Sequence, residues 1–471
     1  MRENTMLWFQ KKNERKQNNS AGQSTDLSAG SSAGSDTSFA SVDDLGRKEC
    51  LRHVDSILTS RTKGIVLKLY IENFKHLNQV FGYFYCEKLL NQIIQYLRTK
   101  TGRPVYRYIG VEFVVILENC TQGHAMTMAE EILEQFDHVW KVDGTDCLCT
   151  VQIGLCPCSG PASTTDELFK CLDAAVARAT ELGPNQAICY DTALHNAVIR
   201  KQIIGQYLKT AMEKQEVEVR YRPTLHNEKG RFTRAEFYMR IFIQNVGMIG
   251  AGEFLPIAED TGQIRLVEYF ALNQVGRFIA NLIKEGKEFE SIALPISSVL
   301  LLQEDFLDEV SRVIETNHIP PKKLAIEVTE NALTTAYMNI NTMMQALDEL
   351  GVELILNDFG SGYSSITSML DLPIHTLKLE RAFVWQLETN PKSRHIIEGL
   401  IDIARNLNLN IIAEGVETDN QVEALQSCQY LQGFYYSPTV TEDTLIQIIG
   451  ETPEKSQFII AREKETAKRF A

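Results

Sequence analysis

Three short β-like runs late in this 471-residue chain end in acid-rich turns: Glu327-Val328-Thr329-Glu330, Asn357-Asp358-Phe359-Gly360-Ser361-Gly362 and Ala413-Glu414-Gly415-Val416-Glu417. Carboxylates set just after apolar strands gather at one mouth when the strands close into a barrel, where their oxygens suit hard divalent cations. Such cations generate hydroxide at neutral pH and neutralise phosphate oxygens, which is the chemistry of phosphodiester cleavage. In the second run an amide, Asn357, stands where a further acid would complete the donor set.

The bulk composition bounds the partners. Hydrophobic residues make up 44% of the chain and charged residues 23%, an ordinary globular balance in a chain long enough for two or three domains. A formal net charge of -14 argues against coating a nucleic-acid polymer, yet leaves room for a small anion held by a few cations. The Cys-x-Cys pairs Cys147/Cys149 and Cys156/Cys158 read as reduced thiols packed in a core, with a zinc site as the alternative. No apolar run reaches the ~20 residues that span a bilayer. Met6-Leu7-Trp8-Phe9 precedes the basic run from Lys11 to Lys16, the reverse of a secretory leader, so a cytoplasmic location is expected.

The acids need elements to place them. Residues 1–45, rich in Ser, Gly, Asn and Gln, bury little and read as a disordered tail. Residues 46–191 give a β run at 64–71, an amphipathic stretch at 81–97 and a hairpin pattern around Gly110. A helix at 126–136, a strand at 149–155 and a helix over 165–182 closed by Gly183-Pro184-Asn185 follow, a compact α+β domain. A linker helix is expected over 192–207. Across 208–455, eight strand candidates (217–221, 235–239, 291–296, 323–328, 352–356, 376–379, 410–413 and 430–434) alternate with helical stretches. That pattern predicts a parallel (β/α)8 barrel. The charged residues 456–471 read as a C-terminal tail.

The barrel half resembles the EAL family of cyclic di-GMP phosphodiesterases. Ala235-Glu236-Phe237-Tyr238-x-Arg240 stands at the Glu-Ala-Leu position, and Glu253-Phe254-Leu255-Pro256-Ile257-Ala258-Glu259 follows it. Asp358-Phe359-Gly360-Ser361-Gly362-Tyr363-Ser364-Ser365, Leu377-Lys378, Ala413-Glu414-Gly415-Val416-Glu417-Thr418 and Leu431-Gln432-Gly433 come in family order. The resemblance implies Mg2+ or Mn2+ held by Glu236, Glu327, Asn357 and Asp358. It implies that Asp358, Lys378 and Glu414 place a second metal and the attacking water, and that Gln432 shapes that site. Arg240 would meet a ligand phosphate, and Glu330 would brace the loop after Asp358. Arg222, where the family usually has Gln, reads either as a second phosphate partner or as a solvated surface cation.

The departures are specific. Pro295, in Leu294-Pro295-Ile296-Ser297, replaces an Asn ligand, and Asn357 replaces the first acid of an Asp-Asp pair. The gross attraction of a carboxylate for a divalent cation at 4 Å is roughly 8 kcal/mol at an effective dielectric near 20. Losing that charge predicts impaired metal-dependent hydrolysis. Phe237 and Tyr238 replace smaller residues and are expected to add bulk beside the nucleotide. His375, at a family Asp, reads as a structural histidine.

Residues 46–191 resemble a GGDEF diguanylate cyclase domain through Tyr70-Ile71-Glu72-Asn73-Phe74-Lys75-His76-Leu77-Asn78, Ile109-Gly110-Val111-Glu112-Phe113 and Ala174-Ala175-Val176-Ala177-Arg178-Ala179. Here Tyr70 replaces a metal-binding Asp, while Ile109 and Val111 replace the first Gly and the Asp of the signature. Cyclase activity is therefore expected to be absent. Asn78 and Glu87 leave weak GTP binding open, beside a dimerising or regulatory role. For the whole chain, a cyclic di-GMP receptor with lost or weak hydrolysis leads. The alternatives are an active phosphodiesterase releasing linear pGpG and a nucleotide-independent scaffold. A homodimer and an unidentified protein partner complete the expectations.

Overall fold

The computed structural model describes residues 45–160, 162–360, 371–457 and 459–461. The readings made for the tails 1–44 and 462–471, and for the run 361–370 with Gly362, lie outside the described residues. The chain divides into two compact units between Asp191 and Thr192.

The first unit carries β1 (Leu45–Gly46), β2 (Gly64–Ile71), β3 (Val105–Ile109), β4 (Glu112–Glu118), β5 (Trp140–Val142), β6 (Thr145–Cys147), β7 (Val151–Pro157) and β8 (Gln186–Cys189). Six of these form one sheet in the order β1-β3-β4-β2-β7-β8, while β5 and β6 make a separate hairpin. β2 sits between β4 and β7, antiparallel to both. Its near-continuous apolar run suits a strand covered on both faces. Lys68, the cation in that run, is held by Asp173 at 2.6 Å and Glu112 at 3.0 Å. The β5–β6 hairpin was not legible in the sequence, because three-residue strands are too short to display a period. Helix Thr165–Glu181 starts with a capping box between Thr164 and Glu167. It lies so close to β7 that a Cβ on Gly154 would meet the Leu172 carbonyl oxygen at 2.7 Å and Val176 Cγ2 at 2.8 Å. All ten cysteines are free thiols, and eight are buried.

The second unit opens with helix Thr192–Lys214, longer than the linker expected from the sequence. Its strands are β9 (Val217–His226), β10 (Arg231–Ile243), β11 (Gly247–Gly250), β12 (Ser291–Pro295), β13 (Leu324–Thr329), β14 (Glu353–Phe359), β15 (Thr376–Leu379), β16 (Asn410–Glu414) and β17 (Tyr430–Gln432). β10 and β12 to β17 are parallel neighbours around a ring that β9 closes by pairing with both β10 and β17. Both of those pairings are antiparallel, which corrects the expectation of an all-parallel barrel. Only residues 227–230 link β9 to β10, a hairpin length, whereas a parallel neighbour requires a crossover of a dozen or more residues. β11 folds back on β10 as an antiparallel extension. Past the boundary read at 455, Ser456 and Ile460 are buried.

Strand alternation stacks the barrel interior in layers. At the N-terminal end, Arg234 bonds Glu290 at 2.9 Å, the Tyr430 hydroxyl at 3.0 Å, and Glu353. Ser291 and Thr376 donate to Glu353 at 2.7 and 2.8 Å. Above lies an apolar layer of Ala293, Ala325, Ile355, Ile412 and Tyr430. Two residues further along their strands come Pro295, Glu327, Asn357, Glu414 and Gln432, at the C-terminal mouth.

Gly154→Ala tests the packing of the first unit. The added methyl group must displace helix backbone, so urea denaturation should report a loss of about 1–3 kcal/mol; an unchanged midpoint would contradict the close approach.

Candidate functional site

Lys378, on the fully buried strand β15, occupies the centre of the mouth. Its Nζ donates to Glu236 Oε2 at 2.7 Å and Glu327 Oε2 at 3.2 Å, and lies 3.5 Å from Glu414 Oε2. Glu236, Glu327 and Lys378 are only 4%, 2% and 1% exposed. Burial alone would lower the ammonium pKa, but these carboxylates hold it well above its ordinary value. Glu327 moves the other way. Burial, reinforced by the neighbouring Glu236 charge, pushes its carboxyl up to about 8 against the pull of Lys378. Burial also favours the neutral form of Glu414, yet Lys378 and Arg222 outweigh it and keep that carboxyl below its ordinary value. Asp358 is raised, chiefly by burial.

The antiparallel course of β9 brings a second set of cations to the same mouth. Arg222 is paired in register with Glu236, donates to Glu414 Oε1 at 2.9 Å and lies 4.6 Å from the Tyr238 ring centroid. It is no solvated surface cation, which removes one of its two sequence readings. Arg220, two residues earlier and on the same face, bonds Glu218 at 2.6 Å and the Thr439 carbonyl at 3.2 Å. Sequence reasoning missed Arg220, although strand alternation from Arg222 was the signal for it. Arg240 reaches Thr439 Oγ1 at 3.4 Å. Tyr238 shares the inward face with Glu236 and Arg240. Phe237 does not: it is buried on the opposite face against Tyr221, ring centroids 5.7 Å apart. The expectation that both aromatic residues crowd the ligand is corrected to Tyr238 alone, because successive strand residues point to opposite faces.

The residues around the expected metal positions are arranged as follows. Pro295 is paired in register with Glu327 at the end of β12 and brings no side-chain oxygen. Asn357 and Asp358 sit where the β14–β15 register shifts. There the Asn357 Oδ1 accepts the Asp358 N–H at 2.8 Å, and Asp358 adopts φ 56°. Glu330 accepts the Gly360 N–H at 2.9 Å. Gln432 donates from Nε2 to Thr224 Oγ1 at 2.9 Å, and its buried Oε1 has no partner among the described residues. Among the described residues, no group of three His, Cys, Asp or Glu side chains is placed to hold a metal ion. The point where Glu236, Glu327 and Glu414 meet is held by the Lys378 ammonium. His375 accepts the Leu354 N–H at 3.2 Å and faces Asp348 at 3.2 Å, contacts that belong to the scaffold.

Glu268 was not singled out by sequence. Buried in helix Ile264–Lys284, it accepts the Ser297 N–H and hydroxyl, each at 2.8 Å, and so pins the turn that follows Pro295.

In the first unit, Tyr70, Glu72, Lys75, Asn78 and Val111 line a cavity of about 450 Å³. The Asn78 Oδ1 is buried there without a partner among the described residues. Glu87, which with Asn78 leaves weak GTP binding open, is engaged. Arg107 grips both Glu87 oxygens at 2.9 Å and the Gly110 carbonyl at 2.9 Å, while Glu112 pairs with Lys68.

Comparison with known proteins places both units. The EAL domain profile matches residues 206–439, and the profile for the diguanylate cyclase GGDEF domain matches residues 48–186. The signaling protein YkoW of Bacillus subtilis is 27% identical over 430 residues, spanning 88% of this chain and 53% of that protein. The bifunctional diguanylate cyclase/cyclic di-GMP phosphodiesterase MucR of Pseudomonas aeruginosa is 28% identical over 391 residues, spanning 82% of this chain and 57% of MucR. This chain therefore spans about half the length of these curated relatives. A solved structure described as the PaMucR phosphodiesterase in a c-di-GMP complex is 29% identical with TM-score 0.50, covering 51% of this chain and 99% of that one.

The Glu268–Ser297 contact yields a pH-dependence. Burial, opposed by the Ser297 bonds, raises the Glu268 carboxyl from 4.5 to about 7. The native state thus keeps a proton that the unfolded chain releases, and stability must fall as pH rises through that window. Glu268→Gln retains an acceptor for the Ser297 N–H and cannot ionise. Between about pH 4.5 and 8, urea denaturation should show its stability relative to wild type rising by up to about 3 kcal/mol. A pH-independent difference would contradict the buried protonated carboxyl.

Proposed function

This chain belongs to the family that carries a GGDEF domain followed by an EAL domain, and on that premise we propose that its barrel is a cyclic di-GMP receptor with lost or weak hydrolysis. The observation that carries this reading is the state of the expected metal donors. Pro295 offers no side-chain oxygen, the uncharged Asn357 Oδ1 already accepts the Asp358 N–H, and Glu236 and Glu327 share the Lys378 ammonium. The remaining oxygens are right in kind for Mg2+ or Mn2+, but the set does not fit a bridged pair of ions. The same mouth offers a dianionic dinucleotide what binding requires. Arg222 and Arg240 are cations at the rim, and Tyr238 offers an aromatic ring already approached by Arg222.

One observation favours the phosphodiesterase as the second reading: Glu236, Glu327, Asp358, Lys378 and Glu414 are all retained, and the relative MucR is described as a phosphodiesterase. The scaffold reading loses support with Phe237 turned outward. The first unit, with Glu87 and Glu112 internally paired, suits a regulatory or dimerising role better than nucleotide chemistry.

Calorimetry and product chromatography separate these readings. Titrating cyclic di-GMP in Ca2+ or EDTA should give a Kd of about 1 µM or tighter. Arg222→Ala should weaken it by roughly tenfold or more. With Mg2+ or Mn2+, chromatography should detect little or no linear pGpG. Ordinary turnover would overturn the receptor in favour of the enzyme, and an absence of binding would favour the scaffold.

The double repair Pro295→Asn with Asn357→Asp restores two oxygen donors and one charge. It should raise pGpG release by about tenfold or more. No gain would place the defect elsewhere, with Tyr238 the first residue to test.

A further inference from the structure

The N-terminal end of the barrel carries a second concave site. A cavity of about 690 Å³ opens where β10 begins and where the segments leading into β12 and β13 arrive, and Lys229, Arg231, Lys287 and Lys323 line it. That volume falls in the range of small-molecule sites.

The charges there do not cancel. Lys229 is satisfied by Glu290 at 2.6 Å, and the other Glu290 oxygen accepts from Arg234 at 2.9 Å and from the Tyr430 hydroxyl at 2.7 Å. Burial would raise this carboxyl, but those three donors pull it down to about 2, so it stays ionised and committed to the barrel floor. Arg231 and Lys287 make no ion pair or side-chain hydrogen bond among the described residues. Lys323 lies over the Phe289 ring at 4.2 Å and donates to the Phe289 carbonyl, with no carboxylate partner among the described residues. Against these three cations stands one exposed acid of the lining, Glu288.

Thr233 also lines the cavity. It occupies the irregularity in β9–β10 pairing between Phe232 and Arg234, is 8% exposed, and its Oγ1 is buried without a hydrogen-bond partner. Bulges re-aim side chains, and buried hydroxyls are nearly always bonded.

We propose that this cavity is an anion site for a phosphate-bearing ligand, bound between Arg231, Lys287 and Lys323. A phosphate group accepts from several donors at once and matches the excess of positive charge. The cavity volume leaves room for more than the phosphate alone. The site lies at the strand ends opposite Glu236 and Lys378, so it stands or falls independently of the receptor reading.

The test uses the full chain. Inorganic pyrophosphate, titrated in EDTA, should bind with a Kd of about 1 mM or tighter. The double variant R231A K287A should weaken it by roughly tenfold or more, with the melting temperature unchanged. In a parallel arm, phosphatidylcholine vesicles with and without phosphatidic acid are sedimented with the protein. Binding that needs phosphatidic acid and is lost in the double variant would assign the phosphate to a lipid headgroup; loss of pyrophosphate binding alone would assign it to a free metabolite. Failure of both probes to bind, or binding that survives the double variant, would overturn the site.

Discussion

The ammonium of Lys378 sets the terms for the whole mouth of the barrel. Three carboxylates brought within 2.7–3.5 Å of one buried nitrogen would repel one another and carry a heavy desolvation cost without it. With it, Glu236 and Glu327 are held inside the ring, and part of their charge is neutralised by the protein itself. Removing one partner from a buried ionic set generally costs about 3–5 kcal/mol. The arrangement is therefore a fixed feature of the fold, and any ligand must bind to a mouth already organised around it.

The rest of the barrel separates two ionic ends by one apolar layer. Ala293, Ala325, Ile355 and Ile412 lie between the Arg234 network on the floor and the Lys378 cluster at the mouth. Each end satisfies its own charges: Arg234 answers Glu290 and Glu353 below, while Lys378 and Arg222 answer Glu236, Glu327 and Glu414 above. The antiparallel β9 matters at the upper end, because its inward face carries Arg220 and Arg222 alongside Glu218. One barrel strand thus adds two guanidinium groups to a carboxylate-rich mouth.

The first unit follows a different logic. Its motifs survive as packing: Lys68 binds Glu112, Arg107 binds Glu87, and Gly154 admits helix Thr165–Glu181 against the sheet. These charged groups answer one another within the unit. The cavity beside Asn78 persists, with polar chemistry reduced to that one amide and the groups around Glu72 and Lys75.

What the sequence determined by itself follows from local rules. Period-two and period-3.6 patterns marked the eight barrel strands and the principal helices of the first unit. Acids just after apolar runs marked the mouth, and Pro295 and Asn357 were readable there as residues that bring no carboxylate. Only the tertiary structure decided which way residues face and whom they meet. The outward turn of Phe237, the seating of Arg222 on Tyr238 and the pairing of Lys378 with Glu236, 142 positions away, depend on strand register and ring closure. So do the Arg107–Glu87 clamp and the unpaired Thr233 hydroxyl. A local pattern fixes how often a side chain points inward, whereas the partner it finds there is set by distant chain brought alongside.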